Sequence, residues 1–260
     1  MLDRLSIGLK GFLRDEKLFH SIYHIRRTMP EVQLIVVDDG EMTEEKDLLY
    51  AEIIREGHKV FVLPFDSGYG VKSNRIIDSL DREFIAPLAD DFDFSPPSVK
   101  VGIEKALAVL DRNPELSIVS GRLANRGPYE FHLVERQPGE IYERPLTGSE
   151  YFRPIVGCDV TVNYSFIRKE VFEKVKFDDE EIIGEGGHGT FFYDVKKMGM
   201  KVAYIPGVEI SEQTGRDSDR YRQFRARAHG PSRKCFEKRG INRWVLGNGI
   251  IDYDKEKFTI

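Results

Sequence analysis

The chain has 260 residues, of which 40% are hydrophobic and 32% are charged, with a formal net charge of −5. This length and apolar content suffice for one substantial core, and we expect an α/β protein. The nearly balanced charge argues against the broad basic surface that attracts nucleic acid, so we expect no nucleic-acid partner.

Five short β-branched runs alternate with longer helical patterns in the first half of the chain. Strands are predicted over residues 5–9, 32–37, 59–63, 84–88 and 116–119. Helices are predicted over residues 18–25, 44–55, 71–80 and 99–110. This alternation is typical of a doubly wound, mostly parallel sheet flanked by helices, in which ligands bind at the carboxyl ends of the strands.

The regular alternation ends near residue 124. Residues 125–154 are rich in Gly, Pro and charge, which predicts hairpins or a long loop beside the substrate cleft. Strands over 160–167 and 202–205 and helices over 169–175 and 190–197 are predicted beyond it. We therefore expect one domain over residues 1–222, with a nucleotide-binding half over 1–124, a smaller acceptor-side half over 125–222, and a C-terminal helical tail over 223–260.

Neither a membrane span nor a leader is predicted. No stretch approaches the roughly 20 apolar residues that cross a bilayer, and the first residues lack the apolar run of a signal peptide. The expected location is cytoplasmic. Cys158 and Cys235 lie far apart in the sequence, and we interpret each as a reduced thiol that packs as a small hydrophobe.

Three carboxylates follow the predicted strand 84–88. Asp90, Asp91 and Asp93 would repel one another unless a cation or hydrogen-bond donors lie among them. Oxygen ligands favour Mg²⁺ or Mn²⁺ over zinc. A solvated turn before a helix has a similar pattern, but the position at a strand end favours a metal site.

Two further segments follow strand ends. Asp38 and Asp39 come after the strand 32–37, where carboxylates either accept hydrogen bonds from a base or ribose or only form an Asp-Gly turn. Gly68 precedes a helix whose first turn contains Lys72 and Asn74, a favourable place for a phosphate. The glycine pattern is too incomplete for a nicotinamide site.

The order of these motifs resembles that of family 2 and related GT-A glycosyltransferases. The segments SIGLKGFLRDEKLFHSIYHIRRTMPEVQLIVVDDG, FDSGYGVKSNR and EFIAPLADDFDF match the nucleotide-binding half of that family in order and spacing. CDVTVNYSFIRKEVFEKVKFDDE and GEGGHGTFFYDVKKMGMKVAYIPGVEI match its second half, so the likeness covers roughly residues 4–212.

This resemblance implies the fold, the reaction and its partners. It implies a GT-A fold and a metal-dependent hexosyl- or N-acetylhexosaminyltransferase that uses Mn²⁺ or Mg²⁺. The donor would be a nucleoside diphosphate-sugar, expected to be a UDP-sugar, and the acceptor a hydroxyl of a saccharide or another molecule. Direct displacement at the anomeric carbon would invert its configuration.

The resemblance also assigns nucleotide and metal roles. Asp38 would contact the base or ribose, with Lys10 and Arg14 near the same loop. Asp91 aligns with the metal-binding residue of the family's D-x-D motif, and Asp90 with its middle residue. Ala89 stands where the first Asp of that motif is expected, so Asp93 is an alternative second ligand.

The position of the catalytic base departs from the family pattern. Gly187 and His188 occupy the two positions where family members carry Glu-Asp. Either His188 is the base or Glu185 reaches in from two residues earlier, and we favour Glu185 because a carboxylate suits deprotonation of a hydroxyl. Glu212 stands near the family's metal-binding His.

Three alternatives stay open at this stage. A sugar nucleotidyltransferase would need a longer glycine-rich loop than KGFLRDE after the first strand. A non-catalytic nucleotide-sugar-binding subunit would bind the donor without releasing diphosphate. The basic and aromatic residues after position 220 either fold over the diphosphate or form a solvated helix face; they are Tyr221, Arg222, Arg225 and Arg227.

Overall fold

The structure is a computed structural model that describes residues 1–182, 187–226 and 231–255. Within these residues, eight strands form a mixed, mostly parallel sheet and four strands form a smaller one. Over the same part of the chain, no helix is both long enough and apolar enough to cross a membrane.

The first half follows the predicted alternation, and the five predicted strands and the helices between them are confirmed. The elements are β1 (Leu5–Gly11), α1 (Asp15–Thr28), β2 (Gln33–Asp38), α2 (Glu44–Arg55), β3 (Lys59–Val62), α3 (Tyr69–Asp78), β4 (Phe84–Ala89), α4 (Pro97–Arg112) and β5 (Leu116–Leu123). Most boundaries shift by only a few residues because each element has its own apolar period.

The second half contains shorter and more irregular elements. They are β6 (Phe131–Gln137), β7 (Glu140–Pro145), α5 (Gly148–Tyr151), β8 (Val156–Cys158), β9 (Ser165–Arg168), α6 (Gly187–Lys197), β10 (Lys201–Ile210), α7 (Asp219–Arg225), α8 (Pro231–Glu237), β11 (Arg243–Val245) and β12 (Ile251–Asp254). The helix predicted over 169–175 is a 3₁₀ helix over Lys169–Glu173. The hairpin predicted within 125–154 is formed by β6 and β7.

The central sheet has the strand order β3-β2-β1-β4-β9-β5-β10-β8. Strand β1 is parallel to both of its neighbours, β2 and β4, whereas β9 is antiparallel to β4 and β5. All seven residues of β1 are buried, as expected for a strand covered on both faces. The chain reverses its direction of winding at β1, which creates a crevice at the carboxyl ends of β1 and β4.

The strand register aligns the ends of β1, β2 and β4. Lys10 lies beside Val37 of β2 and Ala89 of β4, so the loops that leave these three strands begin at one level. Helix α3 packs tightly on the same strand, because a Cβ added to Gly8 would lie 2.5 Å from Cγ2 of Ile76. Nearer the start of α3, Lys72 Nζ donates to the carbonyl oxygen of Gly11 at the end of β1, at 3.1 Å.

The C-terminal segment differs from the predicted helical tail. It contains α8, but also β11, which pairs in parallel with β7, and β12, which pairs antiparallel with β11. The buried indole of Trp244 donates a hydrogen bond of 3.0 Å from Nε1 to Glu143 Oε1. Strands of three and four residues are too short to show a period, so the sequence pattern did not distinguish them from a tail.

Candidate active site

A cavity of about 970 Å³ lies at the carboxyl ends of β1, β2 and β4. This volume is at the upper end of the range for small-molecule sites. The loop after β5, His188 at the start of α6, and α7 complete its wall. Its charged lining is mixed, with the basic residues Lys10, Arg14, Lys72, Arg126, Arg222 and Arg225 and the acidic residues Asp39, Asp66, Asp90, Asp91, Glu212 and Asp217.

Arg14 connects the end of β1 to the acidic turn after β4. Its Nη1 donates a hydrogen bond of 2.6 Å to Oδ2 of Asp91, and its Nη2 forms an ion pair with Oδ1 of Asp90. The guanidinium carbon lies 4.5 Å from the centre of the Tyr221 ring. Strand order therefore brings Arg14 to two carboxylates that lie 76 and 77 positions later in the sequence.

Hydrogen bonds to its backbone carbonyl oxygens hold the acidic turn, residues 90–93, in place. The Ser21 hydroxyl donates to the carbonyl oxygens of Asp90 and Phe92, each at 2.9 Å. The Gln213 backbone N–H donates to the Asp91 carbonyl oxygen at 2.7 Å. Burial raises the pKa of the Asp90 carboxyl to about 6, against the opposing effect of Arg14. The side chain of Asp91 is more accessible and lines the cavity.

Asp93 does not line the cavity. Its Oδ1 accepts the Ser95 backbone N–H at 2.9 Å and lies 3.2 Å from Nε2 of His20. These contacts close the turn before α4, which was the structural alternative for this acidic segment. The structure thus separates Asp93 from Asp90 and Asp91, and we correct the expectation that Asp93 shares a metal with Asp91.

Two buried lysines line the cavity next to the end of β1. Lys10 Nζ donates to the Pro87 carbonyl oxygen at 2.8 Å, and no carboxylate of the described residues lies within ion-pair distance of it. Lys72 Nζ forms an ion pair of 2.5 Å with Asp39. Burial and the charge of Lys72 lower the pKa of Lys10 to about 7. An anionic ligand would therefore stabilise the Lys10 ammonium.

Asp39 joins the end of β2 to the start of α3. Its Oδ2 accepts the Gly68 backbone N–H at 2.9 Å, and its Oδ1 contacts Lys72. Burial raises the pKa of the Asp39 carboxyl despite these contacts. Gly68 has a φ of +97°, and a Cβ there would lie 2.9 Å from the Ile182 Cα, so only glycine fits. The structure thus brings together Asp39 and Lys72, which were predicted from two separate segments, and both line the cavity.

Asp38 lies away from the cavity and is fully buried. The Tyr50 hydroxyl donates to Oδ2 of Asp38 at 2.6 Å, and Lys46 Nζ lies 2.8 Å from the same oxygen. The Gly40 backbone N–H donates to Oδ1 at 2.8 Å. Both carboxylate oxygens of Asp38 therefore already have partners within the protein. This agrees with the Asp-Gly turn, and we correct the expectation that Asp38 contacts the base or ribose.

The first turn of α3 does not offer its amides to a phosphate. The N–H groups of Tyr69 and Gly70 donate to the carbonyl oxygens of Ile182 and Glu181, at 2.9 and 2.8 Å. Asn74 Nδ2 donates to the Phe177 carbonyl oxygen at 2.8 Å and does not line the cavity. Asn74 therefore anchors a loop, contrary to its predicted nucleotide contact, whereas Tyr69 and Lys72 at the start of α3 line the cavity.

His188 lines the cavity. Its Nε2 is hydrogen-bonded to the Thr161 carbonyl oxygen, and because a carbonyl only accepts, Nε2 carries the hydrogen. Burial lowers the pKa of His188 to about 4, which makes the ring a weak base near neutral pH. The other predicted base, Glu185, lies outside the described residues.

Several cavity residues were not predicted from the sequence. The rings of Phe12, Phe65 and Phe224 lie with their centres 5.4 to 5.6 Å apart, and Phe12 and Phe224 line the cavity. Such rings offer an apolar surface for a base or sugar. Phe12 and Phe65 follow β1 and β3, so a search for aromatics beyond strand ends would have found them. Tyr129 and Asp217 carry no comparable signal.

Glu212 and Arg126 form a rim of the cavity. Arg126 Nη2 lies 2.7 Å from Oε1 of Glu212. The backbone of Glu212 forms an isolated antiparallel β-bridge with Phe92 of the acidic turn. Glu212 thus stands beside the turn that contains Asp91. Its carboxylate can supply oxygen to a hard cation, in place of the histidine that the resemblance led us to expect.

The sheet order, the antiparallel β9 and the cavity at the β1–β4 crevice define the GT-A fold. A solved structure of GalNAc-T7 with UDP, GalNAc and Mn²⁺ matches 81% of this chain and 44% of its own, with a TM-score of 0.63 and 13% identity. The S. aureus TarS 1–349 structure in complex with UDP-GlcNAc matches 82% and 60%, with a TM-score of 0.55 and 13% identity. These structural similarities support the assignment of the fold.

Similar sequences are found among glycosyltransferases. Beta-1,4 N-acetylgalactosaminyltransferase 2 of Mus musculus is 29% identical over 214 residues, which are 80% of this chain and 39% of that protein. Beta-1,4 N-acetylgalactosaminyltransferase 1 of Homo sapiens is 26% identical over 204 residues, 73% of this chain and 35% of that protein. The chain thus spans less than half of these relatives, and no family model matches it. The predicted resemblance to GT-A glycosyltransferases is confirmed.

Proposed function

We propose that the chain transfers an N-acetylhexosamine from a UDP-sugar to an acceptor hydroxyl. The observation that carries the proposal is the convergence of Lys10, Arg14, Lys72 and Asp91 on one cavity at the carboxyl ends of parallel strands. Basic groups for a diphosphate and an accessible carboxylate for a cation are what departure of a nucleoside diphosphate requires.

The names of similar proteins support the class of sugar. The two curated relatives are N-acetylgalactosaminyltransferases, and the solved structures of similar fold contain UDP with GalNAc, or UDP-GlcNAc. The donor of this chain is therefore proposed to be UDP-GalNAc or UDP-GlcNAc. The uracil base of this donor is proposed to lie against the aromatic rings of Phe12, Phe65 and Phe224.

The diphosphate is proposed to lie over the end of β1. Lys10 is buried with a carbonyl oxygen as its hydrogen-bond acceptor, so a phosphate oxygen would compensate its charge. Lys72 is already paired with Asp39 and adds a second positive charge at the same wall. The neutral partner of Lys10 makes this lysine the stronger phosphate contact of the two.

The residues present fit a hard divalent cation. Asp91 and Glu212 are carboxylates on adjacent segments of the cavity wall, and Mg²⁺ or Mn²⁺ typically takes one or two carboxylates together with substrate phosphates. No group of three or more His, Cys, Asp or Glu side chains in the described ranges is arranged to hold a metal alone. The bound cation would neutralise charge on the departing diphosphate.

The acceptor is proposed to enter on the side of His188. Glu185 is our proposed base because a carboxylate suits deprotonation of a hydroxyl, and His188 is the weaker candidate because of its low pKa and its hydrogen bond to Thr161. Removal of the acceptor proton on the face opposite the diphosphate gives one displacement with inversion. His188 would then border the acceptor as a neutral ring.

Turnover of UDP-GalNAc, UDP-GlcNAc and UDP-glucose with Mn²⁺ tests the proposal. UDP release from an N-acetylhexosamine donor supports it, and UDP-sugar binding without any release would instead support the non-catalytic subunit. Asp91→Asn is expected to abolish metal-dependent release. The matched control is Asp93→Asn, two positions away and outside the cavity, which should retain activity within about threefold. Full activity of Asp91→Asn would refute the site.

A further inference from the structure

The predicted metal ligand Asp91 is paired with an arginine in this structure. Arg14 donates to Asp91 through Nη1 and pairs with Asp90 through Nη2, so one guanidinium neutralises both carboxylates. The side chains of Asp90 and Asp91 are only 2% and 14% exposed. Two buried adjacent carboxylates repel each other strongly without a cation between them. The positive charge of Arg14 therefore relieves the repulsion between the two carboxylates, as a divalent ion at the same place would.

The contacts of Arg14 are not fully satisfied. Its Nε is buried and has no hydrogen-bond partner among the described residues. An arginine has five N–H donors in a planar fork that matches two oxygens of a phosphate. A diphosphate beside Lys10 would offer acceptor oxygens to this unfilled donor. The geometry thus contains a reason for Arg14 to change partners when an anionic ligand arrives.

Besides Asp90 and Asp91, two residues outside the sheet contact the guanidinium of Arg14. The ring of Tyr221, on α7, lies 4.5 Å from the guanidinium carbon, and Asp217 lies 3.9 Å from Nη1. Both residues belong to the segment that follows β10, not to the sheet. Neither contact ties the guanidinium to the sheet, so the ion pairs with Asp90 and Asp91 are the ones that break if the guanidinium turns.

We propose that Arg14 is an exchangeable counter-ion of the metal-site carboxylates, an inference that rests on the proposed function. Without ligand, Arg14 holds Asp90 and Asp91. When a cation and a nucleoside diphosphate bind, Arg14 releases Asp91 and turns its guanidinium to the phosphates. A cation that binds without nucleotide competes with Arg14 for Asp91. When the diphosphate is also bound, Arg14 contacts the phosphates and this competition ends. Cation and nucleotide binding are therefore thermodynamically coupled.

Titration of the full chain with Mn²⁺ in the absence of nucleotide, followed by electron paramagnetic resonance, tests the competition. Arg14→Gln is expected to bind Mn²⁺ about tenfold more tightly than the wild type, because the competing charge is gone. Arg14→Lys retains the charge but not the fork, so an increase of about threefold is expected. Should Arg14→Gln fail to fold, the lysine variant decides alone, and wild-type affinity in it overturns the proposal.

Lys17→Gln is the matched control for the loss of a positive charge. Lys17 pairs with Asp217 at 2.8 Å and does not contact the two carboxylates. It should change Mn²⁺ affinity less than about twofold. A gain in Lys17→Gln as large as in Arg14→Gln would show a general field effect and overturn the proposal, as would an unchanged affinity in Arg14→Gln.

A second titration with UDP separates this inference from the proposed function. UDP should tighten Mn²⁺ binding to the wild type about tenfold or more, and clearly less in Arg14→Gln, where no guanidinium can turn to the phosphates. An equal enhancement in both proteins overturns the exchange. If UDP binds neither protein although Arg14→Gln binds Mn²⁺ more tightly, the proposed function fails while the competition at Asp91 stands.

Discussion

Asp38 and Asp39 are neighbours in the sequence, but their carboxylates point to different parts of the molecule. Asp38 contacts Lys46 and Tyr50 of α2 in the interior, whereas Asp39 contacts Lys72 and lines the cavity. Successive side chains at a strand end point to opposite sides, so this separation follows from the end of β2. One of the two stabilises the fold, and the other belongs to the site.

Asp38→Asn is therefore expected to lower stability rather than nucleotide affinity. The change leaves the buried Lys46 with less compensation, at a cost of about 3 kcal/mol in the free energy of unfolding. Urea denaturation measures this cost, and calorimetric titration with UDP, below the unfolding transition, should give an affinity within about twofold of the wild type. A stable variant that had lost UDP binding would restore Asp38 as a base contact.

Two buried lysines should behave in opposite ways when they are replaced by methionine. Lys10→Met removes an ammonium that lacks a carboxylate partner among the described residues, so stability should not fall, while UDP binding weakens about tenfold or more. Lys46→Met breaks ion pairs of 2.8 Å with Asp15 and Asp38 and should cost about 3 kcal/mol of stability.

Thermal unfolding and UDP titration of both lysine variants provide the comparison. Each protein serves as the control for the other, since the two substitutions are chemically identical. If Lys10→Met were destabilised as much as Lys46→Met and bound UDP normally, Lys10 would have a structural role only.

The affinity for UDP should depend on pH through Lys10. Its pKa is lowered to about 7 by burial and by Lys72, below the value of an unfolded lysine. The ammonium form that attracts phosphate is thus present below pH 7 and is lost as the pH rises above it. Because the unfolded chain binds more protons above pH 7, the contribution of Lys10 to stability changes in the opposite sense and rises with pH.

Metal-free titration with UDP at pH 7, 8 and 9 checks this dependence. We expect wild-type affinity to fall severalfold over this interval, and Lys10→Met to show a much flatter profile. Parallel profiles in the two proteins would assign the pH dependence to another group.

Glu185 and His188 should contribute very differently to turnover. Glu185→Gln removes the proposed base and is expected to lower kcat about 10²- to 10⁴-fold with little change in UDP affinity. His188→Gln should lower kcat less than about tenfold, because a ring with a pKa near 4 takes up few protons at neutral pH.

Steady-state release of UDP from the donor provides the measurement, with UDP affinity as a check of the binding site. The reverse order of effects would identify His188 as the base. A large loss in both variants together with weak UDP binding would indicate damage to the cavity rather than to catalysis.

The sequence by itself predicted the sheet and singled out several residues that line the cavity. Buried parallel strands are continuous apolar runs and the helices between them are amphipathic, so the units of the first half are readable from local periods. Asp39, Lys72 and Asp91 were singled out because they lie at or just beyond strand or helix ends that such a fold directs to one edge, and Lys10 was implied by the family resemblance. The positions of these residues follow from the succession of strands and helices along the chain.

Only the tertiary structure decided which side chains face the cavity. Asn74 and the amides of the first α3 turn are bonded to residues 177–182, about 100 positions away, and Asp93 is turned towards Ser95 and His20. Likewise, β11 pairs with β7, also about 100 positions upstream. Hydrogen bonds between distant segments have no local period, and they, not the residue types, determine where a polar side chain points.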